Sequence, residues 1–441
     1  MHVDSWLLRA AARRPSAEAL AGVSYAALAE RVDDAARRLA GHGIGPGDRV
    51  AIELPPGEAF VVVLHALLRR GAVAVPIDPR APEADRAARR AIAAWTVDDA
   101  SLLAELAPDH GADLPATHDL DAPAIVVHTS GTSGAAKPIP LTYGNWLWSA
   151  LGSAAALGCP PGERWLCALP LHHVGGLSVL LRSAIAGTTA VVHERWETER
   201  VVAGLTGAPD PETGRAQAPA TMISVVPTTL RRLLDAGLRG GGGGARALRF
   251  ALLGGAPIPP GLLADCAEAG LAVAPTYGMT EACSQIATRG TPLFCTTVAT
   301  ADDGELLVRG PTVSRAAVRE DGWLATGDLG RLDARGHLEV TGRKADTIIT
   351  GGENVLPLEV ERALEALPGV AEAGVFARPD DRWGERVCAQ VVARPGATLD
   401  AGALREAVAR RLARHQVPRE IELVPALPRT TSGKLLRRAL R

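Results

Sequence analysis

Residues 48–77 read as strand, helix, strand: two apolar runs at 48–54 and 72–77 flank a helical pattern at 58–70. Short strands joined through a helix pair in parallel, and the helix must cover a face of the sheet they begin. An amphipathic helix opened by Ser24 and closed near Gly41 precedes them. The alternation resumes at 124–128 and continues through apolar strands at 165–169, 188–192, 221–226, 248–253 and 272–274, with helical stretches between. Strands at 304–310 and 336–341 break the rhythm and indicate an antiparallel region. Beyond Gly342-Arg343-Lys344-Ala345-Asp346 the chain changes to short strands and two helices. The expected fold is an α/β large N-terminal domain, residues 1–342, with parallel sheets flanked by helices plus an antiparallel β region. A small, mobile α+β C-terminal domain, residues 343–441, follows it. Residues 79–121 are less regular, and 207–219 and 239–245 read as mobile surface insertions without chemistry.

The strand at 124–128 runs into Thr129-Ser130-Gly131-Thr132-Ser133-Gly134-Ala135-Ala136-Lys137. Hydroxyls and glycines at this density let donors converge on phosphate oxygens, and the lysine adds a mobile positive charge. The spacing is not that of a P-loop, since two residues separate Gly134 from Lys137 and proline follows. A plain Ser/Gly surface turn is the alternative.

Lysine usage sharpens the point. Of 47 basic residues only Lys137, Lys344 and Lys434 are lysine. A compact ammonium on a flexible stem does what a planar guanidinium cannot. All three lie in glycine-containing segments, and Lys434 ends the run Pro428-Arg429-Thr430-Thr431-Ser432-Gly433-Lys434.

Other polar clusters fall at strand ends, where open α/β sheets place ligands. Gly255 and Ala256 would let a flat ring approach the backbone. Tyr277, Thr280 and Glu281 offer an aromatic face, a hydroxyl and a carboxylate suited to a base, a phosphate and a hard cation. Asp328 suits a ribose diol, although an aspartate in Thr-Gly-Asp is also common in turns. Arg182, alone among apolar neighbours, either snorkels to the surface or meets an anionic substrate group.

Charge argues against nucleic-acid and membrane-surface partners, the formal net charge being −2. No apolar run is long enough to span a membrane, and no targeting segment is read. Six scattered cysteines without a C-x-x-C pair fit reduced thiols in the cytoplasm.

Taken in order, T-S-G-T-S-G-A-A-K (129–137), P-L-H-H (170–173), Y-G-M-T-E (277–281), T-G-D (326–328), G-R-K-A-D (342–346) and P-R-T-T-S-G-K (428–434) resemble the acyl-adenylate-forming superfamily. That superfamily comprises acyl-CoA ligases, peptide-synthetase adenylation domains and luciferases. The segments around His172-His173, Arg182-Ser183, Cys283-Ser284-Gln285 and Gly351-Gly352-Glu353-Asn354 are most similar to the o-succinylbenzoate–CoA ligases of menaquinone biosynthesis.

The resemblance implies an AMP-forming acid–thiol ligase that uses ATP, Mg²⁺ and coenzyme A on a small-molecule carboxylic acid. It implies catalytic roles for Lys434, His173 and Thr280, with Mg²⁺ near Glu281. ATP and AMP would meet Thr129, Ser130, Gly131, Thr132, Ser133, Gly134, Lys137, Gly255, Ala256, Tyr277, Gly278, Asp328 and Arg343. Substrate would meet His173, Arg182, Gly278 and Gly352, with Arg182 on the succinyl carboxylate and Gly351-Gly352 along the pantetheine path. Two departures stand out: Ala345 at the hinge position, and Gly175 where the nearest family often has serine. A CoA ligase for another aryl or acyl acid, a stand-alone adenylation domain and a non-catalytic nucleotide-binding protein stay open, as does a homo-oligomer.

Overall fold

The structure, a computed structural model, describes residues 1–129, 137–241, 244–430 and 433–440. Two large sheets carry the parallel strands anticipated from the alternation. The first runs in the order Trp95–Val97, Arg49–Ile52, Val73–Pro76, Pro123–Thr129, Lys137–Thr142. Its first four strands are parallel neighbours, and the last pair is antiparallel. Helix Glu58–Arg70 matches the bounds read from the sequence, and helix Tyr25–Gly41 is capped by the Ser24 side chain.

The second sheet has nine strands, with Arg164–Cys167, Thr189–Val192, Met222–Val225, Phe250–Leu253 and Val273–Met279 in parallel at its centre. The side chains of the first four are almost wholly buried, as a parallel sheet covered on both faces requires. Helix Val174–Ala186 packs inside this layer and is buried from Gly176 through Ile185. An antiparallel four-stranded sheet follows: Thr297–Thr300, Glu305–Arg309, Leu324–Leu332 and Leu338–Arg343. The C-terminal domain has its own core, from Ile348 to Val408, and a five-stranded sheet led by the antiparallel pair Val370–Asp380 and Gly384–Ala393.

Two local readings change. Lys137–Thr142 is a strand, although it holds two prolines. It lies at the edge of its sheet, where missing N–H groups leave no ladder bond unmade. The loop at 207–219 is pinned: Asp210 is buried, accepts from the N–H groups of Glu212 and Thr213, and pairs with Arg200 at 2.9 Å. In the segment 239–245, Gly242 and Gly243 lie outside the described residues. No helix among the described residues is long and apolar enough to cross a membrane.

Candidate active site

Strands from two sheets meet at one cleft. Strand Val273–Met279 carries Tyr277 and Gly278 to its C-terminal end, and the 3₁₀ turn Thr280–Ala282 adds Thr280 and Glu281. Gly278 is required here, because a Cβ would lie 1.7 Å from the Ser284 carbonyl oxygen where the strand bulges. Strand Phe250–Leu253 ends beside it and leads into Gly255, at φ +81°, and Ala256.

The antiparallel sheet supplies the next pair. Asp328 and Arg343 are register partners on adjacent strands, so their side chains share a face. Arg343 Nε donates to Asp328 Oδ1 at 2.8 Å, and the Tyr277 hydroxyl donates to Asp328 Oδ2 at 2.8 Å. Burial, reinforced by that carboxylate, pushes the Tyr277 phenol well above its usual range and keeps it the donor. The Asp328 carboxylate is therefore held from two sides and buried, while Arg343 reaches water.

His173 caps the start of helix Val174–Ala186, and its ring lies 4.3 Å from that of His172. Burial lowers the His173 pKa to about 3, with His172 and Lys434 adding repulsion, so the imidazole is neutral at physiological pH. His172 is buried and lies 3.8 Å from Asp78, a neighbour the sequence did not single out. The two histidines form a neutral wall.

Lys434 reaches this cleft from the far end of the chain. Its ammonium is within electrostatic reach of Asp328, Glu281 and Arg343. It lies in a water-accessible opening, yet the protein crowded around it, with Arg343, lowers its pKa. Among the described residues it makes no ion pair, and neither does Glu281. An unpaired ammonium beside an unpaired carboxylate suits a ligand that brings both a negative group and a cation.

Of the glycine-rich stretch, Thr129 and Lys137 are register partners, and Thr129 Oγ1 approaches the Lys137 carbonyl at 3.4 Å. Ser130, Gly131, Thr132, Ser133 and Gly134 lie outside the described residues. Gly352 is exposed on the C-terminal domain, and among the described residues no hydrogen bond joins it to the cleft.

Arg182 does not snorkel. It is 6% exposed, donates to Ser149 Oγ at 3.0 Å and lies 5.7 Å from the Trp165 ring. Burial brings its pKa down to about 10, and no carboxylate pairs with it among the described residues. Ser149 in turn donates to the Cys283 carbonyl at 2.7 Å, so Arg182 lies beneath the turn that presents Glu281. Sequence reading missed Ser149, because a serine amid an apolar helix carries no signal of its own.

The chain is similar to known proteins along its whole length. Residues 7–91 and 85–316 match the family model of the AMP-binding enzyme, and residues 359–434 that of the AMP-binding enzyme C-terminal domain. The 2-succinylbenzoate–CoA ligase of Bacillus subtilis (strain 168) is 34% identical over 99% of this chain and 97% of that protein. A solved structure of Bacillus subtilis o-succinylbenzoate CoA synthetase with its acyl-adenylate intermediate has a TM-score of 0.88 at 34% identity, covering 100% of this chain and 98% of that one. Another, holding ATP and a magnesium ion, has a TM-score of 0.87 at 33% identity and covers all of both chains.

Proposed function

The chain belongs to the AMP-binding enzyme family, and on that premise we propose that it is a 2-succinylbenzoate–CoA ligase working through an acyl-adenylate. One observation carries the site reading: the Lys434 ammonium lies within electrostatic reach of Asp328, Glu281 and Arg343 and makes no ion pair among the described residues. A carboxylate is a poor electrophile. One of its oxygens attacks the α-phosphorus of ATP, the bond to the bridging oxygen breaks, and pyrophosphate leaves. The CoA sulfur, as thiolate, then attacks the carbonyl carbon and AMP departs with the electron pair.

The first step crowds anions together, so it needs fixed positive charge where negative charge gathers. We assign Lys434 to the oxygens of the substrate carboxylate and α-phosphate, Asp328 to the ribose hydroxyls and Arg343 to ribose or phosphate. Tyr277, Gly255, Ala256 and Gly278 frame the adenine, and Thr129 to Gly134 with Lys137 hold the outer phosphates. Thr280 and the neutral His173 border the reacting carboxyl group. An unpaired Glu281 fits Mg²⁺, which keeps most of its ligands as phosphate and water; bound there it would offset phosphate charge. Arg182 is assigned to the remote carboxylate, on the ground that a buried guanidinium without a carboxylate partner calls for an anion.

For the second step we assign Gly352 to the pantetheine path, reached when the C-terminal domain rotates about residues 343–346 against the N-terminal domain. ATP and CoA supply points to the cytoplasm. ATP–pyrophosphate exchange across a panel of carboxylic acids, followed by a thioester assay with CoA, tests the whole reading. Exchange that prefers 2-succinylbenzoate to benzoate and to malonate supports it; a different preferred acid would move the assignment to another acid–CoA ligase.

A further inference from the structure

Lys434 sits on a small hairpin. Within it Thr430 N–H donates to the Lys434 carbonyl at 2.8 Å, Gly433 N–H to the Thr430 carbonyl at 2.9 Å, and Lys434 N–H to Thr430 Oγ1 at 3.0 Å. Leu436 N–H closes the base on the Pro428 carbonyl at 2.9 Å. These bonds give the turn its shape. They leave open the direction in which the shaped turn points.

Two arginines, one at each base, tie it to the C-terminal domain. Arg437 pairs with Glu361 and donates to the Val375 carbonyl, and its Nε reaches Asp346 at 3.1 Å. Arg429 does something different. Its Nη2 donates to Glu372 Oε2 at 2.8 Å, while its Nη1 donates to the Gly433 carbonyl at 2.8 Å, one residue before Lys434. One planar fork thus joins the strand Val370–Asp380 to the peptide that carries the lysine, and both partners of the ion pair are about two-thirds or more shielded.

The other side of that peptide faces the N-terminal domain. Gly433 has φ +83°, and a Cβ there would lie 2.9 Å from Thr228 Oγ1 and 3.2 Å from Val226 Cγ2. The carbonyl that Arg429 holds belongs to the residue through which the hairpin meets the start of helix Pro227–Asp235.

We infer that Arg429 is a positioning residue for acyl-adenylate formation: its fork between Glu372 and the Gly433 carbonyl aims Lys434 into the cleft. This rests on the assignment of Lys434 to the adenylation step. Thiol attack needs no lysine at that place, so the arginine serves one half-reaction only.

The test measures both half-reactions in Arg429→Met, Arg429→Lys, Glu372→Gln and Lys434→Ala, with thermal midpoints recorded beside them. Misaiming a catalytic group by about 1 Å can cost about a hundredfold, so Arg429→Met should slow adenylation tenfold to a hundredfold, those bounds being rough. Thioester formation from supplied acyl-adenylate should stay near the wild-type rate. Arg429→Lys, a single point donor, should fall between, and Glu372→Gln should lose less than Arg429→Met because the Gly433 contact survives. Equal slowing of both half-reactions would give Arg429 a purely structural part and overturn the inference. So would wild-type adenylation in Arg429→Met while Lys434→Ala is inactive. If Lys434→Ala itself adenylates normally, the Lys434 assignment fails, and the inference falls with it.

Discussion

Asp328 and Arg343 meet because they face each other on neighbouring strands, and Tyr277 closes the same carboxylate from a third strand. Lys434 meets them by a different route, on a hairpin held to its own domain by Arg429 and Arg437 and touching the other domain at Gly433. The side of the cleft proposed for the nucleotide is built into sheet register; the lysine side is delivered. A register pair cannot move without breaking a ladder, whereas a delivered group can leave as a unit. That contrast suits a reaction whose two steps need different groups beside one carbonyl.

Removing what is delivered should have the largest effect. Lys434→Ala takes away a preorganised charge, and losses of about 10²–10³ in adenylation rate are expected. Thioester formation from preformed acyl-adenylate should remain. ATP–pyrophosphate exchange and a single-turnover thioester assay separate the two, and equal losses would show that the lysine serves both steps.

Blocking delivery comes next. Lys344 is tied to Asp303 at 2.6 Å and to Glu305 at 3.1 Å on the N-terminal side, while Asp346 is tied to Arg437 on the C-terminal side. Ala345 is the residue between these opposite anchors, so the proposed rotation would pass through its backbone. Proline there would fix φ near −65°. Ala345→Pro should therefore form acyl-adenylate normally and slow the thioester step by about a hundredfold, the scale of losing a positioned group. Wild-type thioester formation in a folded variant would move the hinge elsewhere.

Arg182 sharpens the fixed side. If it meets the remote carboxylate, Arg182→Ala should raise KM for 2-succinylbenzoate by about thirtyfold, corresponding to roughly 2 kcal/mol for a lost charge pair. KM for ATP should hardly change. If it only props Ser149 beneath the Cys283 carbonyl, a monocarboxylic aryl acid should suffer as much as the dicarboxylic one. The ratio of the two KM changes decides.

What the sequence made legible follows the same division. Strand–helix alternation is a local signal, and it located the sheets and the strand ends that carry Gly255, Tyr277 and Glu281, whereas Asp328, read as lying between strands, sits in the middle of strand Leu324–Leu332. Edge position is not local, so Lys137–Thr142, with its two prolines, could not be recognised as a strand until its neighbour was known. The Tyr277–Asp328 bond spans 51 residues and the Arg429–Glu372 pair 57. Neither spacing announces itself in a chain where arginine supplies nearly all positive charge. Arg182 was flagged by its isolation among apolar residues, but whether it reached water depended on a helix packed on every side.

The smallest expected effect probes the foundation of the delivered side. Glu361 and Glu365 stand one helical turn apart on helix Pro357–Glu365 and accept the N–H groups of Val375 and Ala373. Glu361 is paired with Arg437, and Glu372 with Arg429; Glu365 lies near both acids, and the nearby Arg429 offsets them only in part. Burial, followed by those two carboxylates, raises the Glu365 pKa from 4.5 to about 8. Between those values the folded chain keeps a proton that the unfolded chain has lost. Stability must then fall as pH rises through that window and level off above it. Glu365→Gln keeps an acceptor for Ala373 N–H and removes the titration. The thermal midpoint of the variant should drop less than that of the wild type between pH 5 and pH 9, by a few degrees. At pH 9 the variant should be the more stable of the two. A parallel pH dependence in both proteins would mean that Glu365 is ionised in the fold, with Arg429 shared between two carboxylates. In that case the arginine fork that aims Lys434 would be weaker at neutral pH than its geometry implies, and the adenylation rate of Glu365→Gln should exceed that of the wild type.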